Sequence, residues 1–501
     1  MWIRRLFLYI PLLFLTLNVF SQAYTPPLRL EIEVPSMDFS FQVIPLGKNG
    51  VALLYETDIT ENKRKKWSIV LFDTNLQKTA TTDIWLERNL GVKVINTDKE
   101  SFYICFQKFD RRTTMYNTYI VQYFIADKKA KVYAINVRDK ETVFDLHILD
   151  NTVFYATNFN HNVEVFALNL KTLNSVPLFK EGAKDIAMFH FFYRDTNSRS
   201  LWTAVTLYSK KTSPVLNLLQ LHGDGTVLQN ITIPFADDYF LNSCQMTIVD
   251  KNKLLLIGAY VNKNELTAKT NNIINSGIFS AIVSNGEIKK SNYFNFVLLS
   301  NQLKKGKIAS DEKKNVSLNL QLIMDNIVHN DSMYVAIGEV FYPEYRQEYA
   351  ANYGMYGYTS APTTVFAGYR YQIAYVLTFD KNADLIWNTQ FQYNDVLVSN
   401  LKNILHAYID DNNDVVLFYG IRGEVISTVL NHADIVQATE SIPIEMLSPA
   451  DRIITHYSST FRNWYANNFI YYGYQTISGK KTNKKYAKKR QVLFINKLAY
   501  R

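Results

Sequence analysis

Five acids stand in polar connections between apolar runs: Glu87, Glu141, Asp185, Asp237 and Asp238. Paired carboxylates can flank a glycosidic bond as general acid and base; Asp237-Asp238 beside Tyr239 is the most suggestive pair. A second set is cationic. Lys63-Arg64-Lys65-Lys66, Lys108 with Arg111-Arg112, and Lys210-Lys211 form basic segments, and Lys480, Lys481, Lys484, Lys485, Lys488, Lys489 and Arg490 put seven cations into eleven residues. Such clusters make a local positive field that draws acidic partners. A third set is aromatic. Residues 339–371 contain Tyr342, Tyr345, Tyr349, Tyr353, Tyr356, Tyr358, Tyr369 and Tyr371. Tyrosine offers a large face, a polar tip and little side-chain entropy to lose, so sugar rings and peptides both stack on such a surface.

Other chemistries lack their signatures. The eight histidines are scattered, with no H-E-x-x-H and no close His/Cys cluster, so no metal site is expected. No G-x-S-x-G elbow is present. Gly479-Lys480-Lys481-Thr482 lacks the preceding glycine of a phosphate-binding loop. Asp410-x-Asn412-x-Asp414 alternates as a calcium loop does, but Val415 and Ile421 stand where glycine and an acid are needed. No cofactor and no nucleic-acid partner are expected.

The elements that must hold these residues follow from a repeat. A polar turn, mostly Asn or Asp, is followed at once by an apolar run of four to six residues. The central turn residues are 49, 99, 151, 198, 251, 331, 412 and 467, with steps of 50, 52, 47, 53, 80, 81 and 55. The sharpest pair is D-K-N-K-L-L-L-I-G (from Asp250) against D-N-N-D-V-V-L-F-Y-G (from Asp411). In each unit a second apolar run, a second turn and a more polar segment follow. Each unit thus predicts four short strands, A to D, in an up-and-down meander. Runs apolar on both faces suit sheets packed between sheets, and four-stranded sheets repeated radially make a β-propeller. The expected fold is all-β: a β-propeller of four-stranded antiparallel blades, eight in number with seven as the alternative. Insertions fall near residues 259–276, 339–371 and 475–490. An outer-membrane barrel is the rival, but its strands would alternate, and L-L-L-I-G does not.

The last unit has too few residues for a strand D. The orphan segment L-R-L-E-I-E-V, residues 28–34, is predicted to supply it and close the ring, its charged residues facing outward. Ahead of it, residues 1–23 read as a signal peptide: Arg4 and Arg5, an apolar core to Phe20, then small residues at Ser21 and Ala23. Export to a periplasm, cell surface or beyond is expected, with residues 24–501 as one domain and no transmembrane anchor. The formal charge is +9, or about +7 without the two leader arginines. Cys105 and Cys244 fall in different units and are expected to be buried thiols.

Residues 338–391 contain Y-P-E-Y, G-Y-R-Y and A-Y-V-L-T-F-D-K-N-A-D-L-I-W-N. This segment resembles one in exported, propeller-like proteins of Bacteroidota with no known activity, and the leader ending Phe20-Ser21-Gln22 is similar to theirs. The resemblance implies an exported propeller and assigns no functional residue. The F-D-x-N-x-x-L-x-W pattern makes Trp387 a packing residue.

In such a meander the A–B and C–D turns share one face, and the B–C and D–A connections share the other. The basic segments and the tyrosines fall in B–C connections, expected to be long loops, and the five acids in D–A connections. Function is therefore expected on the B–C face: non-enzymatic binding of an anionic glycan, lipopolysaccharide phosphate, or an acidic envelope protein. The alternatives are a carbohydrate-active hydrolase or lyase using the D–A acids, and a passive envelope component.

Overall fold

A computed structural model describes residues 28–34, 41–108, 116–137, 141–159, 162–180, 186–209, 212–235, 239–262, 274–296, 299, 320–354, 357–448, 451–479 and 489–499. The signal-peptide reading lies outside them. Among the described residues no helix is long and apolar enough to cross a membrane.

The described residues form eight antiparallel sheets; all but the sixth have four strands, in sequential order except in the eighth, which takes its fourth strand from the N-terminus. Blade 5 shows the pattern: strand A Tyr239–Asp250, B Lys253–Asn262, C Gly277–Ser284 and D Glu287–Asn295. Strand B reads iBBBBBBBBi in burial while strand D reads eieeeiiie (B buried, i half-buried, e exposed), so the polar outer strand faces water. All eight A–B turns fall where the repeat places them. Short side chains close the second turns: Asp73 takes the N–H groups of Asn75 and Gln77, and Asp380 those of Asn382 and Asp384. The Asp410 turn is built the same way, its carboxylate accepting from the N–H groups of Asn412 and Asp414 at 2.9 Å.

Every seam between blades is filled by apolar side chains. Trp67 and Phe106 meet between blades 1 and 2, Phe279 packs with Phe235 between 4 and 5, and Phe418 with Phe469 between 7 and 8. The seam between blades 8 and 1 is equally full, with Val51, Leu53, Trp464, Ile470 and Leu493 buried together. Cys105 and Cys244 are free and buried in blades 2 and 5, and burial pushes the Cys105 thiol up to about 12. Trp387 packs in the seam between blades 6 and 7, as expected.

Ring closure is made by the N-terminal strand. Blade 8 contains A Arg452–Tyr465, B Asn468–Ser478 and C Lys489–Ala499, and Leu28–Glu33 pairs antiparallel with C as strand D, with Leu30 opposite Ile495. The alternation puts Leu30, Ile32 and Val34 against blade 1. Of the charged face, Glu33 is exposed but Arg29 and Glu31 are turned inward. Arg29 is buried, stacks on the Phe494 ring, and donates to Glu31 (2.7 Å), Asn496 (3.1 Å) and Gln475 (2.8 Å). Glu31 also accepts from Arg490, which reaches Asp451 at 2.5 Å. On this side of blade 8, His456, hydrogen-bonded to Gln475, packs against Gly423 of blade 7.

Removing Arg29 leaves the buried Glu31 short of its main partner. Arg29→Ala should therefore lower unfolding stability in denaturant by about 3–5 kcal/mol. Arg29→Met with Glu31→Leu, which removes both charges, should cost clearly less. Equal losses would show that the pair does not act as a unit.

Candidate functional site

Among the described residues the B–C face carries one large projection. In blade 6, strands B Tyr334–Gly354 and C Gly357–Phe379 continue past the sheet as a two-stranded arm. Residues 339–371, expected as a loop, are therefore a hairpin. Tyr, Thr and Val suit strands, and about ten paired residues at roughly 3.3 Å each carry the arm about 30 Å beyond the blade.

The two faces of the arm root differ. On one, Arg370 is held between Glu344 and Asp395, and Asp395 also accepts from Arg422 of blade 7 at 2.8 Å. The hydrogen bonds that Arg370 donates to both carboxylates raise its pKa. On the other face the rings of Tyr345, Phe366, Tyr369 and Phe341 follow one another edge to face, with centroids 5.1–5.7 Å apart. They wall a cleft of about 500 Å³ with Pro343, Leu322, Ile323 and Leu401, and with Asn242 and Gln321 as polar members. Tyr345 is 60% exposed and Phe366 42%. Tyr342 is exposed on the opposite face. Tyr371 is buried and donates to the Lys402 carbonyl, so it is structural. Tyr356 lies outside the described residues, and Tyr358 is placed only by its pairing with Tyr353.

Below the cleft, Glu339 anchors the arm. Its carboxylate accepts from the Tyr393 hydroxyl and from the N–H groups of Ile404 (2.8 Å) and Leu405 (3.3 Å), tying blade 6 to blade 7. Burial pushes its pKa up to about 8 against these donors.

The basic segments are only partly described. Arg111, Arg112, Lys210, Lys211, Lys480, Lys481, Lys484, Lys485 and Lys488 lie outside the described residues. In blade 1 the B–C connection is not a long loop but a tight hairpin: B Val51–Glu61 and C Arg64–Phe72 join through Asn62 and Lys63, both at positive φ. Lys63 and Arg64 are exposed. Lys65 pairs with Glu56 at 3.6 Å and Lys66 with Asp83 at 2.7 Å, so half of this cluster is neutralised at home. Arg490 belongs to the ring closure, while Lys489 is exposed. Of the acids, Asp185, Asp237 and Asp238 lie outside the described residues. Glu87 ends the outer strand of blade 1 and accepts from Tyr119 at 2.6 Å, whereas Glu141 is buried at the inner edge of blade 3.

A large cavity lies at the other mouth of the channel, among the A–B turns. It measures about 1330 Å³ and is walled by the inner strands of blades 8, 1, 2, 3 and 4. Arg194 of blade 4 reaches across blade 3 to Asp98 of blade 2 at 2.5 Å. His147 lies beside this pair; burial, with the Arg194 charge adding, pushes it down to about 4, so it is neutral at pH 7. Burial raises Tyr103, which accepts from Gln122 at 2.9 Å. Asp98 belongs to a repeat turn and Tyr103 to the apolar run after it, but nothing in the sequence marks Arg194 or His147 as their neighbours. Blade arithmetic alone could have found them, because each sits at the end of a strand A or in the turn or strand after it.

No family model matches the chain, and no curated protein matches it. Similar solved structures include the Dos1 propeller, at 10% identity over 94% of each chain and a TM-score of 0.43. The β-propeller domain of the Trilobed protease from Pyrococcus furiosus matches at 10% identity over 80% of this chain and 98% of that one, with a TM-score of 0.35. The polysaccharide lyase Uly1 matches at 7% identity over 82% and 90%, with a TM-score of 0.40. At these levels no activity passes from them to this chain.

Glu339 gives the arm root a pH dependence. Its folded pKa lies above the ordinary carboxylate value, so the folded chain holds a proton that the unfolded chain releases. Stability from this group is full below about pH 4.5 and is lost as pH rises through about 8. Glu339→Gln, which mimics the protonated acid, should flatten that slope in denaturant unfolding across the window. An unchanged slope would place the titration elsewhere.

Proposed function

We propose that the chain is an exported propeller that binds an extended anionic glycan across its B–C face without cleaving it. The observation that carries this reading is the aromatic cleft at the arm root. Tyr345 and Phe366 keep ring surface in water, while Tyr369 and Phe341 lower in the ladder are half-buried. A sugar ring covers such faces, and the amides of Asn242 and Gln321 lie within reach of its hydroxyls. Acidic groups further along the polymer meet the exposed Lys63, Arg64 and Lys489 on the same face.

The rigid mounting of the arm supports binding by a preformed surface. Glu344, Arg370, Asp395 and Arg422 fix its root on one side and Glu339 fixes it from below. Such preorganisation lowers the entropy lost on association. The hydrolase or lyase alternative needs converging acids, and the two described D–A acids occupy different surroundings, one on an outer strand and one on an inner strand.

Affinity electrophoresis in gels containing an acidic or a neutral polysaccharide tests this. Tyr345→Ala with Phe366→Ala should weaken retardation by the acidic polymer about ten- to hundredfold, as two lost stacking contacts imply. Lys63→Glu with Arg64→Glu should weaken it further and reduce its salt dependence. Full retention in the aromatic variant, or shortening of the polymer, would sink the proposal. Binding only to acidic proteins would move the partner to another class.

A further inference from the structure

The A–B mouth of the channel has a different chemistry from the arm cleft. Five cations line it: Lys93, Lys99, Arg194, Arg199 and Arg462. Three carboxylates share the wall: Asp98, Glu100 and Asp150. Asp98 is already committed, since it takes the Arg194 guanidinium and the Lys99 N–H at 2.6 Å. Lys93, Lys99, Arg199 and Arg462 make no ion pair with any described carboxylate. The cup therefore keeps an excess of positive charge, and low-dielectric walls focus such a field.

The neutral lining fixes the ligand class further. Gln42, Asn151, Thr196 and Asn463 present amides and a hydroxyl to the space. Hydroxyl-rich ligands match such a wall, whereas a peptide would also need apolar pockets for its side chains. At about 1330 Å³ the cavity exceeds the roughly 300–1,000 Å³ of ordinary small-molecule sites, so it has room for several sugar rings. Arginine forks bind carboxylate or sulfate through two parallel hydrogen bonds.

We propose that the A–B mouth of the channel is a second binding site, for a short acidic oligosaccharide, independent of the B–C face. Arg199 and Arg462 approach it from blades 4 and 8, and Lys93 and Lys99 from blade 2. The Arg194–Asp98 bridge across blade 3 holds the wall between them.

Isothermal titration of the purified full chain tests this, using short oligogalacturonides, sulfated oligosaccharides of equal length, neutral maltooligosaccharides and poly-glutamate. Acidic oligosaccharides should bind and neutral ones should not; the carboxylated and sulfated arms show which anion is preferred. Arg199→Glu with Arg462→Glu should weaken binding about tenfold or more, with an unchanged melting temperature. Lys93→Glu with Lys99→Glu is an independent pair with the same expectation. The Tyr345→Ala, Phe366→Ala variant should bind these short ligands normally. No binding, wild-type affinity in both charge-reversal pairs, or tighter binding of poly-glutamate than of either sugar would overturn the site or its ligand class. Loss of binding in the aromatic variant alone would return the ligand to the B–C face.

Discussion

The B and C strands of these sheets are apolar on both faces, and everything else in the molecule answers to that. A sheet of this kind needs a neighbour on each side. Each added neighbour has the same need, so the stack ends only by meeting itself. The seam between blades 8 and 1 shows what an open ring would lose. Eleven buried apolar side chains fill it, including Trp464, Ile470 and Leu493. At half the roughly 1.5–3 kcal/mol that full burial of each is worth, opening costs on the order of 10 kcal/mol. That is comparable with the whole stability of an ordinary domain. Closure is therefore a condition of folding and not an ornament on it.

The closing strand explains why the seam holds. A strand contributed from the far end of the chain adds hydrogen bonds between residues more than 450 positions apart, such as those around Leu30 and Ile495. Its apolar side fills the seam with blade 1. Its charged side enters the seam with blade 7, where Arg29 is satisfied by Glu31, Asn496 and Gln475. A buried charge with three partners tolerates no register slip, since a one-residue shift would turn Arg29 toward blade 1 and leave it unpaired.

The blades were legible in the sequence because turn chemistry is local. Asp73, Asp380 and Asp410 close their turns through their own neighbours, so a few residues suffice to see each one. The role of residues 28–34 was legible from alternation, but the setting of Arg29 was not, because only the ring supplies blade 7 to cover it. The arm was missed for a related reason. Residues 339–371 have no slot in a four-strand unit, and an unassigned segment reads as a loop even where its residues favour strands. Three of the clustered cations were overread: Lys65, Lys66 and Arg490 count as free charge in a sequence, yet Glu56, Asp83 and Asp451 claim them in space. The channel cup is the limiting case. Gln42 and Tyr472 line one cavity, and nothing local to either position announces the other.

The two mouths differ because the two kinds of connection differ. The A–B turns are short and bind one another across seams: Asn49 donates to the Lys99 carbonyl at 3.1 Å, and Asn330 to Asn413 at 2.6 Å. A mouth knitted in this way keeps its shape, so its polar cup is fixed by the ring itself. The B–C connections accept insertions, which is where the arm grew. An arm without neighbours must be held at its base, and the ion pairs of Arg370 together with the hydrogen bonds of Glu339 do so. The same closed ring thus supports a rigid cup at one end and a mounted aromatic surface at the other.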